Sequence, residues 1–532
     1  MAEAMSGVRV TLGGLLAESA ERWAERPALF LYSNEPWSWT YAELWSASRR
    51  VAGFLRASGV AKGDRVLLWG DNRPEWVAAF LGTLLLGAVA VPIDAQSTED
   101  FLSLIQDATQ PRYMFLGTEQ QQRLGKNGPP LLLFDELIAR LETVEPLAEA
   151  DALAGVEPDD IAELVFTSGT TGSPKGVILS HRNISANVAM AAPSFQVTPQ
   201  NRVLAILPLS HMFEQIADLF VPLSAGASVV YLSSLRPDVI FAAMAHYRIT
   251  NMGCVPRVLE LFADGIKREA RRQNRLSQLE RAHSLACRLP FSWRRLLFKK
   301  IHQRMGGCFE YFVVGGARLD VQLGRWWEGL GVKVVQGYGM TEASPVVSAG
   351  TLKERDHGSV GRPLPGVEVK IAEDGEIWVR GENVTPGYWQ NLEATNNAFT
   401  DGWYMTRDLG HLDSKGRLHI RGRKDNMFVL GNGMNVYPED IEQVLSQDSR
   451  LTDAVVLGLP SGDDVEVHGV LLTGEPAAAA DIVRTANGQL ASHQRIQRYT
   501  VWPEETFPVT PTMKPKRADI TARVLELLLG SE

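Results

Sequence analysis

Between two apolar stretches the chain reads Thr167-Ser168-Gly169-Thr170-Thr171-Gly172-Ser173-Pro174-Lys175-Gly176-Val177. Few folds accommodate such a run. Before it, Ile161–Phe166 is apolar and short, which predicts a buried strand. After it, Ser180 is placed to cap a predicted helix running through Met190. Strand, glycine- and hydroxyl-rich loop, then helix is how a chain surrounds a polyphosphate. Glycines let the backbone approach, amides and hydroxyls donate, and a lysine supplies charge. A Walker A loop ends in Gly-Lys-Ser/Thr; here Pro174 precedes Lys175 and Gly176 follows it. The alternative is an ordinary polar loop.

The rest of the chain alternates apolar runs with helical periodicity. Arg65–Trp69, Ala88–Pro92, Val203–Leu207, Ser228–Leu232, Met252–Val255 and Tyr311–Gly315 are predicted strands. Tyr41-Leu44-Ala47-Val51-Leu55 is spaced as a helix face. This alternation predicts an α/β fold of layered, largely parallel sheets. Gly358–Ile371 and Gly375–Arg380 alternate apolar with polar and predict a smaller antiparallel β unit. A small α+β domain follows, with strands at Leu451–Leu459 and Val467–Leu472 and helices around Ile482–Ser492 and Ile520–Leu529. At 532 residues there is room for more than one core. Trp76–Ile93 carries no charge, but Gly82, Gly87 and Pro92 interrupt it. It reads as a buried helix entering a buried strand rather than a membrane span.

Two glycine-rich turns close predicted strands: Gly315-Gly316-Ala317, and Gln336-Gly337-Tyr338-Gly339-Met340-Thr341-Glu342 after Val332–Val335. Turns at the carboxyl ends of strands are where an α/β sheet binds a nucleotide. Neither is a GxGxxG fingerprint. Net charge of -9 argues against general nucleic-acid binding. Three scattered cysteines argue against a disulfide framework or zinc site and point to a reducing, cytoplasmic setting. Residues 266–304 run against the overall charge. They hold twelve Lys and Arg against Glu269 and Glu280, interleaved with Phe291, Trp293, Leu296, Leu297 and Phe298. Such a segment either lies peripherally on an anionic membrane surface or is a solvated insertion packed on the large domain.

TSGTTGSPKGV and QGYGMTE resemble the signatures of the adenylate-forming, AMP-binding enzymes, and the resemblance covers nearly the whole chain. It implies a large N-terminal domain over residues 1–424 and a small, mobile C-terminal domain over 425–532, hinged at Asp425. It implies ATP, Mg2+ and CoA as ligands, with activation of a carboxylic acid to an acyl-adenylate and transfer to a thiol. Residue by residue, Thr167, Ser168, Gly169, Thr170, Thr171, Gly172 and Lys175 would hold phosphates. Gly316 and Ala317 would line the adenine pocket, Tyr338 would stack on the base, Thr341 would meet the α-phosphate, and Gln336, Gly337 and Gly339 would belong to the same nucleotide site. Glu342 would hold Mg2+. Asp408 and Arg423 would bind ribose, and Gly433 would face the thiol.

Lys514, in Thr510-x-x-x-Lys514-x-x-Arg517, would be the catalytic lysine, joined in catalysis by Thr167 and Glu342. His211, Met212 and Phe213 resemble the acyl-pocket segment, with no aspartate between Ser210 and Phe213 to pair an amine. That pattern is similar to long-chain fatty acyl-CoA synthetases. A medium-chain or aryl acid, an acyl carrier protein as acceptor, or an acyl-nucleotide binder that has lost turnover are the alternatives. Arg407 departs from the family's Thr-Gly-Asp and is expected to alter nucleotide affinity.

Overall fold

The computed structural model describes residues 11–124, 128–167, 174–431, 433–448, 450–461, 464–509 and 515–529. Its compact units are residues 1–368 with 379–404, and residues 369–378 with 405–532. Asp425, the expected hinge, falls inside the second unit.

The first unit contains two large sheets among the described residues. Nine strands form one, in the order Arg362–Pro363, Val346–Ala349, Lys333–Gly339, Tyr311–Val314, Asn251–Cys254, Arg202–Leu204, Ser228–Leu232, Pro27–Tyr32 and Trp37–Thr40. Pairing is parallel from Lys333–Gly339 to Pro27–Tyr32 and antiparallel at both ends. The other sheet has six strands: Leu131–Leu133, Tyr113–Leu116, Arg65–Trp69, Val89–Ile93, Ile161–Thr167 and Lys175–Ser180. Only its last pair is antiparallel. The expected layered, largely parallel α/β fold is what forms.

Parallel strands buried on both faces are apolar throughout, as in Ser228–Leu232, whose five residues are all buried. The uncharged stretch from Trp76 forms most of the helix Pro74–Leu85, every residue buried, and then the strand Val89–Ile93. No helix among the described residues is long and apolar enough to cross a membrane.

One expectation needs correction. The glycine- and hydroxyl-rich run does not lead directly into a helix. Lys175–Ser180 is a strand, paired antiparallel with Ile161–Thr167, so that Thr167 lies opposite Lys175. Only then does the helix His181–Phe195 begin, with Ser180 as its cap and Asn183 completing a capping box. The short apolar run Val177-Ile178-Leu179 satisfies strand and helix templates equally, and cross-strand pairing decides it.

Residues 256–304 fold as the helices Pro256–Arg272, Leu276–Ala286, Phe291–Leu297 and Lys299–Arg304. Leu259, Phe262, Ala263, Ala286, Phe298 and Met305 join the core against the nine-stranded sheet. The inner side of this basic segment is therefore packed on the first unit.

In the second unit, strand Leu451–Ser461 pairs antiparallel with Asp464–Thr473, which pairs parallel with Arg498–Val501. Alternation sends Val456, Val467 and Leu471 to one core with Ile441 and Ile482. Val455, Leu457 and Val470 go to another with Ile520 and Val524. That is the two-faced period of a sheet covered by helices on both sides.

Candidate active site

Strand ends and tight backbone contacts build the site in the first unit. Gly316 follows strand Tyr311–Val314 with φ of +79°, a left-handed conformation that glycine adopts without penalty. Gly339 is needed for a different reason. A Cβ there would lie 1.8 Å from the Pro345 carbonyl oxygen, because Gly339 pairs with Val346 across a bulge. The glycine lets the strand turn back on itself and start the 3-10 turn Thr341–Ala343. Gln336 is buried just before, its Oε1 unpaired among the described residues.

Glu342 is aimed by a residue that the sequence reading left without a role. The Tyr388 hydroxyl donates to Glu342 Oε1 at 2.9 Å and lies 3.3 Å from the Tyr404 hydroxyl. Lys175 Nζ sits 5.5 Å from the Tyr388 ring centroid, within cation–π range. Tyr388 is held in turn by the bridge Val177–Tyr388 and by Trp389 N, which donates to Gly176 O at 2.7 Å. Burial, then the Glu342 charge, pushes the Tyr404 hydroxyl well above the ordinary phenol range. Tyr404 therefore stays neutral beside the carboxylate. Thr167, Lys175, Tyr388 and Glu342 thus belong to one array. Ser168, Gly169, Thr170, Thr171 and Gly172 lie outside the described residues, as do Thr510 and Lys514.

His211 precedes a short helix, Met212–Gln215, that continues through a π-helical turn at Ile216–Phe220. π-Turns inside helices concentrate at functional sites. The loop before His211 is pinned from the six-stranded sheet. Asn72 donates from Nδ2 to Leu207 O at 2.5 Å and accepts at Oδ1 from Leu209 N at 2.8 Å. Asp94, buried at the end of Val89–Ile93, brings Oδ2 within 3.5 Å of His211 Nε2. The Phe213 ring lies where a Cβ on Gly315 would come within 3.2 Å of it. Behind this segment Glu214 and Asp218 are fully buried. Burial raises both, Glu214 well above the carboxylate range and Asp218 to about 7. No sequence signal marks Asn72, Asp94 or Tyr388, because each acts on a residue far away along the chain.

The remaining candidates lie in the second unit. Strand Trp403–Leu412 pairs with Leu418–Arg423 so that Asp408 faces Arg423. Arg423 Nη1 donates to Asp408 Oδ1 at 3.0 Å and Nη2 to Asp425 Oδ2 at 3.3 Å. Asp408 N donates to Thr406 Oγ1 at 3.0 Å. Arg407 turns its guanidinium to Asp425, Nε donating to Oδ1 at 2.7 Å. Gly433 has φ of +80° and open space around its Cα. Arg517 bonds both oxygens of Glu442, at 2.7 and 2.8 Å, anchoring the chain just after Lys514.

The family of AMP-binding enzymes matches residues 16–389. A long-chain-fatty-acid–CoA ligase of Mycobacterium bovis is 30% identical over 550 aligned positions, covering 90% of this chain and 89% of that protein. An indoleacetate–CoA ligase of Aromatoleum aromaticum is 30% identical over 510, covering 90% and 92%. Among solved structures, the O-succinylbenzoate coenzyme A synthetase of Bacillus subtilis in complex with ATP and magnesium ion superposes with a TM-score of 0.77. It is 25% identical, and the match covers 95% of this chain and 99% of that one.

Proposed function

The chain belongs to the AMP-binding enzymes, and we propose that it joins a fatty acid to the thiol of CoA in two steps through an acyl-adenylate. The observation that carries this reading is the array of Thr167, Lys175, Tyr388 and Glu342, the first two of which flank the glycine- and hydroxyl-rich run in sequence.

A carboxylate is a poor electrophile because its leaving group would be oxide. In the first step a carboxylate oxygen attacks the α-phosphorus of ATP, a C–O–P linkage forms, and pyrophosphate leaves. Both reactants are anions, so the catalytic task is to offset their repulsion. Lys175 supplies a cation at the end of the phosphate run, and the second cation is assigned to Lys514 from its motif with Thr510 and Arg517. Tyr388 fixes Glu342 so that its carboxylate is presented in one orientation. A carboxylate so held is the hard oxygen donor that Mg2+ takes alongside phosphate oxygens. Bound there, Mg2+ would neutralise phosphate charge. In the second step the thiol sulfur bonds to the acyl carbon, its proton leaves, and the C–O bond to AMP breaks. Asp408 and Arg423 hold ribose and Gly433 faces the thiol; Asp425, which the motif marks as the hinge, is a residue of the compact unit that contains 405–532.

A fatty acid is favoured over a charged acid by the His211–Phe213 segment. It carries no carboxylate, and burial holds the carboxyl of Glu214 behind it well above the usual carboxylate range. Similarity to the fatty-acid ligase adds support; similarity to the indoleacetate ligase makes aryl acids the competing substrates.

The test is mass spectrometry of the protein incubated with ATP, Mg2+, CoA and short-, medium-, long-chain and aryl acids. Long-chain acyl-CoA with equimolar AMP is the expected result. Acyl-adenylate without acyl-CoA would move the acceptor to a carrier protein. Preference for an aryl acid would overturn the substrate.

A further inference from the structure

Helix Phe291–Leu297 is turned inside out. Its two arginines face the protein: Arg294 donates to the carbonyls of Leu289, Glu328 and Cys287, at 2.9, 3.0 and 3.3 Å. Arg295 donates to those of Phe309 and Gly331, at 2.7 and 3.3 Å. Three of its four large apolar residues face outward instead, Phe291 alone lying half-buried against Arg294 and Arg355. Trp293 is 60% exposed, Leu296 63% and Leu297 44%, and the helix has no buried residue. Spacing of three and four residues puts the three on one face. Leu285, on the preceding helix, is also 54% exposed.

A helix facing only water gains by the opposite arrangement, burying tryptophan and leucine and exposing arginine. The surroundings say what this face meets. Residues 281–309 contain seven Lys and Arg and no Asp or Glu, in a chain of net charge -9. Arg281, Arg288, Lys299, Lys300 and Arg304 are exposed. Apolar side chains that include a tryptophan, rimmed by lysine and arginine, match the layered chemistry of an anionic bilayer surface. Acyl chains lie beneath phosphates there, and the indole settles between them.

We propose that this face docks on an anionic lipid bilayer. Trp293, Leu296 and Leu297 enter the interface, and Arg288, Lys299 and Lys300 meet lipid phosphates. The docking does not depend on which acid the enzyme activates.

The experiment is cosedimentation of the full chain with vesicles of phosphatidylcholine alone or mixed with phosphatidylglycerol, at low and high salt. Phosphatidylglycerol should raise binding at least about tenfold at low salt, and high salt should remove most of that gain. The triple variant Trp293→Ser, Leu296→Ser, Leu297→Ser and the double variant Lys299→Glu, Lys300→Glu should each lose about tenfold or more. Their melting curves and ATP binding should be unchanged, because these side chains support neither core nor site. Equal binding to neutral vesicles, no binding, or wild-type binding by either variant overturns the proposal. So does a dimer in sedimentation velocity that the triple variant abolishes while wild type ignores vesicles, which would assign the face to a second copy. Loss of acyl-CoA formation with vesicle binding intact would count against the ligase reading alone.

Discussion

Arg407 holds Asp425 with its guanidinium, Nε to Oδ1 at 2.7 Å, from a backbone twisted to φ of +60°. The related enzymes' pattern has glycine at this position, and the torsion shows the physical reason: only glycine takes it without strain. Here a large cation accepts the strain and uses its side chain to neutralise the aspartate. Arg407 and Arg423 together hold the Asp425 carboxyl below the usual carboxylate range despite its burial. The guanidinium is directed at Asp425, whereas the carboxylate of Asp408 is met by Arg423.

Strain and ion pair can be separated by two substitutions. Arg407→Gly loses an exposed pair contributing about 0–1 kcal/mol and gains roughly 1 kcal/mol from the relaxed torsion, so its stability should stay near wild type. Arg407→Ala loses the pair and keeps the torsion, and should be less stable than the glycine variant by about 1 kcal/mol. Chemical denaturation of the two variants measures the difference. An alanine variant as stable as the glycine variant would remove torsion from the account.

Gly339→Ala tests close approach rather than torsion. The added methyl would meet the Pro345 carbonyl at 1.8 Å, against backbone that cannot swing away. Overpacking of this kind costs about 1–3 kcal/mol, and the turn that carries Thr341 and Glu342 would shift with it. Lower thermal stability together with weakened nucleotide binding is expected. A variant that melts and binds like wild type would show that the strand accommodates the methyl.

The layered sheets were legible because strands buried on both faces are uninterrupted apolar runs, as in Ser228–Leu232 and Val89–Ile93. Ser180 was legible as a cap because hydroxyl and Asn183 lie three residues apart. Strand Lys175–Ser180 was not, since its apolar core is too short to carry a period. Nor were Asn72, Asp94 and Tyr388, whose partners Leu207, His211 and Glu342 arrive through tertiary folding alone. The outward tryptophan at position 293 was equally hidden. Composition gives the basic and aromatic content of that segment but not which side of the helix each occupies.

Tyr388→Phe removes the hydroxyl that aims Glu342 and leaves the ring beside Lys175. Partners of a metal-holding carboxylate typically contribute about tenfold in metal affinity. The Mg2+ concentration giving half-maximal ATP–pyrophosphate exchange should therefore rise about tenfold, with the saturated rate less affected. Glu342→Gln should lower exchange by about 100-fold or more at any Mg2+ concentration. If the Tyr388 variant needed no more Mg2+ than wild type, the hydroxyl would have no part in presenting the carboxylate.

Glu163 ties stability to pH. It lies fully buried on Ile161–Thr167, with Gln215 Nε2 donating to Oε2 at 3.1 Å, and burial pushes its carboxyl up to about 8 from 4.5. The folded chain keeps this proton where the unfolded chain has released it. Stability therefore falls as pH rises from about 4.5 to about 8 and levels off above. Glu163→Gln keeps the shape and has no proton to lose, so it lacks this decline. The variant should gain on wild type by roughly 2–4 kcal/mol between about pH 5 and pH 8. Denaturation midpoints of the two proteins across that range give the measurement. Because Glu214 and Asp218 titrate in both, their effect cancels in the difference. A difference that stays constant with pH would mean that Glu163 ionises in the folded chain as it does in water.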